Sequence, residues 1–232
     1  MVQDRSSGKY VPVFYVLTTH RTSPTYNSLF HFIREAANNQ LEPTEFVCDF
    51  ERALIDAVGD QFPNADVIGC LFHFNQAVRI KMRKIGISNS AASIAMAIGV
   101  LDMLTVLPID QIEGPGIRWV KRQNKERCRE NGVTYVRSRW DIFWRYFKRT
   151  WLELYDPVLW NVHGLTERLV ARTNNLLERF NRELNAAFST PHPSMAMFVA
   201  TIEALAREHV ALLDAVRVDV LTENNARLFN CL

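Results

Sequence analysis

A chain of 232 residues with 48% hydrophobic and 22% charged side chains can bury a core, which excludes wholesale disorder and suits one large domain or two small ones. Its net charge of +2 identifies no partner, because polyanion binding depends on where Lys and Arg gather. They gather in two groups, Arg79, Lys81, Arg83 and Lys84, then Arg118, Lys121, Arg122, Lys125, Arg127 and Arg129. Cys48, Cys70, Cys128 and Cys231 show no short paired framework, which fits a reducing compartment, and no signal peptide is readable. The apolar stretch from Ala91 to Leu107 carries Ser93, Asp102 and Thr105 and reads as a core helix, not a membrane span.

In chain order, Tyr10 to Thr19 is a β-branched and aromatic run that reads as a strand buried on both faces. A helix follows from about Pro24 to Asn38, with Tyr26, Leu29, Phe30, Ile33 and Ala37 inward. Thr44 to Cys48 is the next strand and places Asp49 at its carboxyl end. Glu51 to Phe62 reads as a helix, Asp66 to Phe72 as a third strand, and about Phe74 to Lys84 as another helix. Strands alternating with amphipathic helices imply right-handed crossovers and an α/β layer with a mainly parallel sheet.

From Ser88 to about Leu165 the pattern is largely helical and holds all five tryptophans. Trp140, Phe143, Trp144, Phe147, Trp151 and Leu154 recur at helical steps and predict one long helix with an aromatic inner stripe, packed as core. A helix after Arg172, capped by Thr173 or Asn174, would bury Leu177, Phe180, Leu184 and Phe188. The Thr190 to Ser194 segment breaks the chain. A last helix carries Met195, Phe198, Val199, Ile202, Leu205, His209 and Leu212 in register, and the tail after about Asp219 is uninformative.

Asp49 draws attention because a carboxylate just past an apolar strand is held on rigid backbone while its head can leave the sheet, where α/β sites form. By spacing alone it equally suits a turn or helix-capping aspartate. Glu51, two residues on, is the weaker candidate, equally suited to a solvated first-turn acid. Glu178 flanks the buried stripe of its helix, with Asn174 and Arg182 one turn away on either side. That set could supply a metal ligand, a helper amide and a phosphate-contacting arginine, or simply a solvated face. Cys70 and His73 make a Cys-x2-His pair, half of a zinc ligand set, and read better as a local packing or hydrogen-bonding pair; structural zinc is not expected.

The words Phe46-Val-Cys-Asp49-Phe-Glu51-Arg-Ala-Leu-Ile55, Phe62-Pro63-Asn64 and Cys70-Leu-Phe-His73-Phe-Asn-Gln76 closely resemble the core of MULE-type transposases of the Mutator-like superfamily. Arg172-Thr-Asn-Asn175-Leu-Leu-Glu178-Arg-Phe-Asn181 and His192-Pro193-Ser194 resemble that family's second block. The resemblance implies a partial ribonuclease H-like core interrupted by a mainly helical insertion. Residues 1–87 would be core, 88–165 insertion, 166–218 returning core helices and 219–232 a tail.

It further implies metal-dependent DNA cleavage and strand transfer in the nucleus, with Mg2+ or Mn2+ on Asp49 and Glu178 as catalytic carboxylates and Arg182 on phosphate. DNA and a second copy of the chain are the expected partners, with no membrane. Cys70 and His73 match a family motif of uncertain role. The family's first aspartate has no counterpart here, since Asp4 lies in a turn-like segment. The chain is therefore expected to be N-terminally incomplete and poorly catalytic, the alternative being a non-catalytic DNA-binding or protein-interaction relic.

Overall fold

The computed structural model describes residues 2–3, 10–164, 175–188, 190 and 192–229. It divides into two compact units, one made of 1–19 with 175–232 and the other of 20–174. The arrangement is mixed α/β, with far more helix than strand.

In the larger unit, α1 (Ser23–Ala36) starts where Thr22 Oγ1 accepts from the Thr25 N–H at 3.4 Å, with Pro24 in its first turn. It stops at Asn38 and Asn39, whose φ values of 51° and 56° lie in the left-handed region that asparagine tolerates. Strands β3 (Glu45–Cys48) and β4 (Asp66–Gly69) pair in parallel, Glu45 opposite Asp66 and Cys48 opposite Gly69. The crossover between them is α2 (Arg52–Gln61), which packs on α1 around Tyr26, Phe30, Ala57, Val58 and Phe62. This is the βαβ logic anticipated from the sequence.

Beyond β4, α3 (Leu71–Lys84) leads into a helical part comprising α4 (Asn89–Ala95), the short α5 (Ile109–Gln111), α6 (Ile117–Glu130) and α7 (Arg137–Lys148). Their common core is aromatic. Phe74, Val78 and Met82 of α3 are enclosed with Trp140, Phe143 and Phe147 of α7 and with Trp151 and Trp160. The expected stripe is thus core packing as far as Trp151. Leu154 departs from it and is 55% exposed. The helix changes to a π-turn over Arg149–Leu154, and the extra residue per turn rotates Leu154 outward.

The Ala91 to Leu107 stretch is not one helix. Gly99 turns with φ +77°, and Asp102 accepts from the Gly99 and Val100 N–H groups at 3.1 and 2.8 Å, opening a 3-10 turn over Leu101–Thr105. Asp102, one of the polar residues that argued against a membrane span, thus ties back onto the Gly99 turn that follows the end of α4 at Ala95. Among the described residues no helix is long and apolar enough to cross a membrane.

The smaller unit holds β1 (Val2–Gln3) antiparallel to β2 (Tyr10–Val11), α8 (Asn175–Ala186) and α9 (Met195–Phe229). Here the strand expected over Tyr10 to Thr19 is corrected. Only Tyr10 and Val11 are strand, and their partner is β1, not the parallel pair. Pro12 has no N–H to donate, and among the described residues the strand pairing stops at Val11, so Val13, Val16 and Leu17 stand exposed. Ring contacts organise the helices, Phe180 lying 6.0 Å from Tyr15 and 5.9 Å from His209, and Phe188 stacking on Phe198. The last helix also continues well beyond Asp219, where the sequence offered no pattern.

Candidate functional site

Parallel pairing puts the carboxyl ends of β3 and β4 side by side, and two chemically active side chains follow at once. Asp49 comes directly after Cys48. The Cys70 N–H donates to the Cys48 carbonyl at 2.8 Å, extending the ladder one step before Cys70 becomes the N-cap of α3. His73, in the first turn of α3, thereby comes back across the strand end, and its Nδ1 lies 2.8 Å from Asp49 Oδ1. The distance is that of an ion pair. The approach is off the N–H axis, so a regular hydrogen bond is not formed although Nδ1 is buried. The Asp49 side chain is 53% exposed and that of His73 30%, so solvent and solutes reach the pair from one side. The Phe72 ring meets the imidazole edge-on at 5.3 Å.

Glu51 is committed elsewhere. Its carboxylate is 3.9 Å from Arg21 and accepts a hydrogen bond from the Tyr26 hydroxyl. Burial pushes the Tyr26 hydroxyl up, and Glu51 reinforces the rise through that hydrogen bond and its charge. Among the described residues no three His, Cys, Asp or Glu side chains converge as a metal-binding group. Asp49 and His73 bring one carboxylate and one imidazole together at the strand ends. One carboxylate with one imidazole does not supply the oxygen-rich shell a hard divalent ion requires.

Cys48 and Cys70 are buried beneath this pair. Burial pushes the Cys48 thiol up to about 12, and the Asp49 and Cys70 charges add to the rise. The raised value means the folded chain keeps a proton that the unfolded chain loses first. The stabilising contribution is therefore complete below the ordinary thiol range near 9 and declines as pH rises from there toward 12. Urea unfolding at stepped alkaline pH should show stability falling by up to about 1.4 kcal/mol per pH unit from this one group. Cys48→Ala should flatten that slope, and an unchanged slope would remove the assignment.

Glu178 lies on α8 of the smaller unit, with its side chain outside the described residues. Asn174 and Asp4 lie outside the described residues entirely. Arg182, also on α8, is exposed. Sequence reasoning singled out Asp49 and His73 separately and missed their pairing. The signal was present: one residue follows the first strand of a βαβ unit and the other opens the helix after the second, so register alone makes them neighbours.

Residues 1–77 match the family model of the MULE transposase domain, 77 of 232 residues, consistent with membership of the Mutator-like superfamily. The match takes in Asp49, Cys70 and His73 and ends before Glu178 and Arg182. No curated protein and no solved structure matches the chain.

Proposed function

Taking the chain as one that carries a MULE transposase domain, we propose that it is a transposase-derived protein that binds DNA without cutting it. The observation that carries this reading is the 2.8 Å approach of His73 Nδ1 to Asp49 Oδ1. Paired-metal phosphodiester cleavage needs several carboxylates turned toward the cations. Here the strand-end carboxylate faces an imidazole and Glu51 serves Arg21 and Tyr26, so the described side chains do not fit a magnesium or manganese pair. The charge distribution supports a polyanionic partner. Residues 71–164 contain 15 Lys and Arg against 8 Asp and Glu, an excess that the net charge of the whole chain conceals.

On this reading β3, β4 and their helices are part of a ribonuclease H-like core, and residues 88–165 are its helical insertion. The protein acts in the nucleus, where its DNA partner lies, and a second copy of the chain is its expected protein partner. A second reading keeps the ancestral chemistry, with Asp49 and Glu178 as metal-binding catalytic carboxylates and Arg182 on phosphate. The family match over Asp49 and the exposure of its carboxylate at a strand end favour it.

One experiment separates the two. Wild-type chain and Asp49→Asn are compared for retention of a labelled duplex in EDTA and for nicking of supercoiled plasmid in Mg2+ or Mn2+. Both proteins should bind equally and neither should nick. Metal-dependent nicking that Asp49→Asn abolishes would establish the catalytic reading instead.

A further inference from the structure

The outer side of α3 forms one wall of a groove of about 610 Å3 whose other wall is the segment from Ile87 to Ser93. Phe72, Gln76, Arg79 and Arg83 line the first wall, Asn89 and Ser93 the second, and no carboxylate lines either. This lining is acid-free because α3 contains no Asp or Glu from Leu71 to Lys84.

Arg79 and Arg83 are uncommitted, unlike several other cations of the helical part. Lys81 lies over the Tyr146 ring and Lys121 over that of Trp144. Arg127 donates to the Ile98 and Gly99 carbonyls, Arg139 to the Gly86 carbonyl, and Lys148 pairs with Glu113. Arg79 and Arg83 are exposed and have no ion-pair partner among the described residues. They sit one helical turn apart, about 6 Å along the axis, both turned into a groove otherwise lined by amides, a hydroxyl and apolar atoms. Guanidinium forks at that spacing suit successive phosphates, and amides suit sugar and base edges.

Phe72 supplies the remaining component. Its ring is 37% exposed at the end of the groove nearest His73 and offers a surface on which a base can stack. From Phe72 to Arg83 the wall runs roughly 16 Å, room for about two to three nucleotides at the phosphate spacing that the two arginines set. We propose that this groove holds a single strand of nucleic acid, with phosphates on Arg79 and Arg83 and a base on Phe72, leading to the Asp49 and His73 pair. The proposal rests on the DNA-binding reading above and adds to it the surface and the strandedness.

The test uses the whole chain in EDTA with a fluorescent oligothymidylate of about 20 nucleotides and a duplex of the same length, read by polarisation between about 50 and 200 mM salt. Arg79→Ala with Arg83→Ala should weaken single-strand binding at least tenfold. The same double variant should reduce the slope of log affinity against log salt by about 1.4, two phosphate contacts at about 0.7 each. Phe72→Ala should weaken single-strand binding about fivefold or more and leave duplex binding unchanged. All three side chains are exposed, and matching urea midpoints will show that the variants fold.

Wild-type chain that binds neither probe overturns the DNA-binding reading itself. Wild-type binding that survives the double substitution overturns the groove and leaves that reading standing. Equal losses on both probes with Phe72→Ala overturn the single-strand assignment.

Discussion

Trp151→Ala is expected to lower the unfolding free energy by about 3–5 kcal/mol, the usual cost of truncating a large buried aromatic. Total stabilities run about 5–15 kcal/mol, so this would bring the chain close to global unfolding. Trp151 is 1% exposed and packs edge-to-face on Phe50 at 4.7 Å and on Phe74 at 4.6 Å. Its ring therefore joins the core of the helical part to the residue immediately after Asp49. The Tyr155 hydroxyl, donating to the Phe50 carbonyl at 2.6 Å, is the second tie at that point.

Removing the indole takes away one of the two, so the loss should appear at the site as well as in global stability. Urea unfolding gives the first quantity, and the chemical shifts of the His73 imidazole give the second. Trp151→Phe, which keeps a ring against Phe50, should cost far less and leave His73 unshifted. A loss under about 1 kcal/mol for Trp151→Ala would show that the cavity collapses and that Phe50 is held without it.

This link between Trp151 and Phe50 was not legible in the sequence, although much around it was. The periodicity of Trp140, Phe143, Trp144, Phe147 and Trp151 marks a buried stripe because a helix repeats its inner face every three or four residues, a local property. What that stripe packs against depends on contacts between residues a hundred positions apart, and no local pattern encodes those. Thr44 to Cys48 could be read as a strand for the same local reason. Tyr10 to Thr19 has the same β-branched composition but lacks a ladder beyond Val11, and β propensity cannot name a partner.

Asp49 was legible by position and His73 by its motif, yet their 2.8 Å approach needed the register of Cys48 opposite Gly69. The basic groups were visible as composition. Which cations are held by rings and carbonyls and which stand open on α3 became apparent only from packing, and that distinction separates Arg79 and Arg83 from Lys81.

Gly69→Ala provides the sharpest test of how the strand ends are held. Gly69 closes β4 opposite Cys48, and a Cβ there would lie 2.3 and 2.4 Å from two atoms of the Phe50 ring and 3.1 Å from the Leu159 carbonyl oxygen. The ring cannot swing aside freely, because Trp151 stands against it at 4.7 Å and Tyr155 at 5.2 Å. Overpacking of this kind costs about 1–3 kcal/mol, and the crowding places Gly69→Ala at the upper end.

The cause can be isolated by a double-mutant cycle. Phe50→Ala alone should cost up to about 3 kcal/mol through lost ring contacts. Adding Gly69→Ala to it should cost only about 1 kcal/mol more, since the ring atoms are gone and only the Leu159 carbonyl oxygen at 3.1 Å still crowds the new Cβ, leaving a coupling of about 2 kcal/mol measured by urea unfolding. Additive losses would show that glycine is required at residue 69 for its backbone and not for the ring beside it. Coupled losses would mean that Phe50, wedged between β4 and the helical part, fixes the backbone from which Asp49 reaches His73.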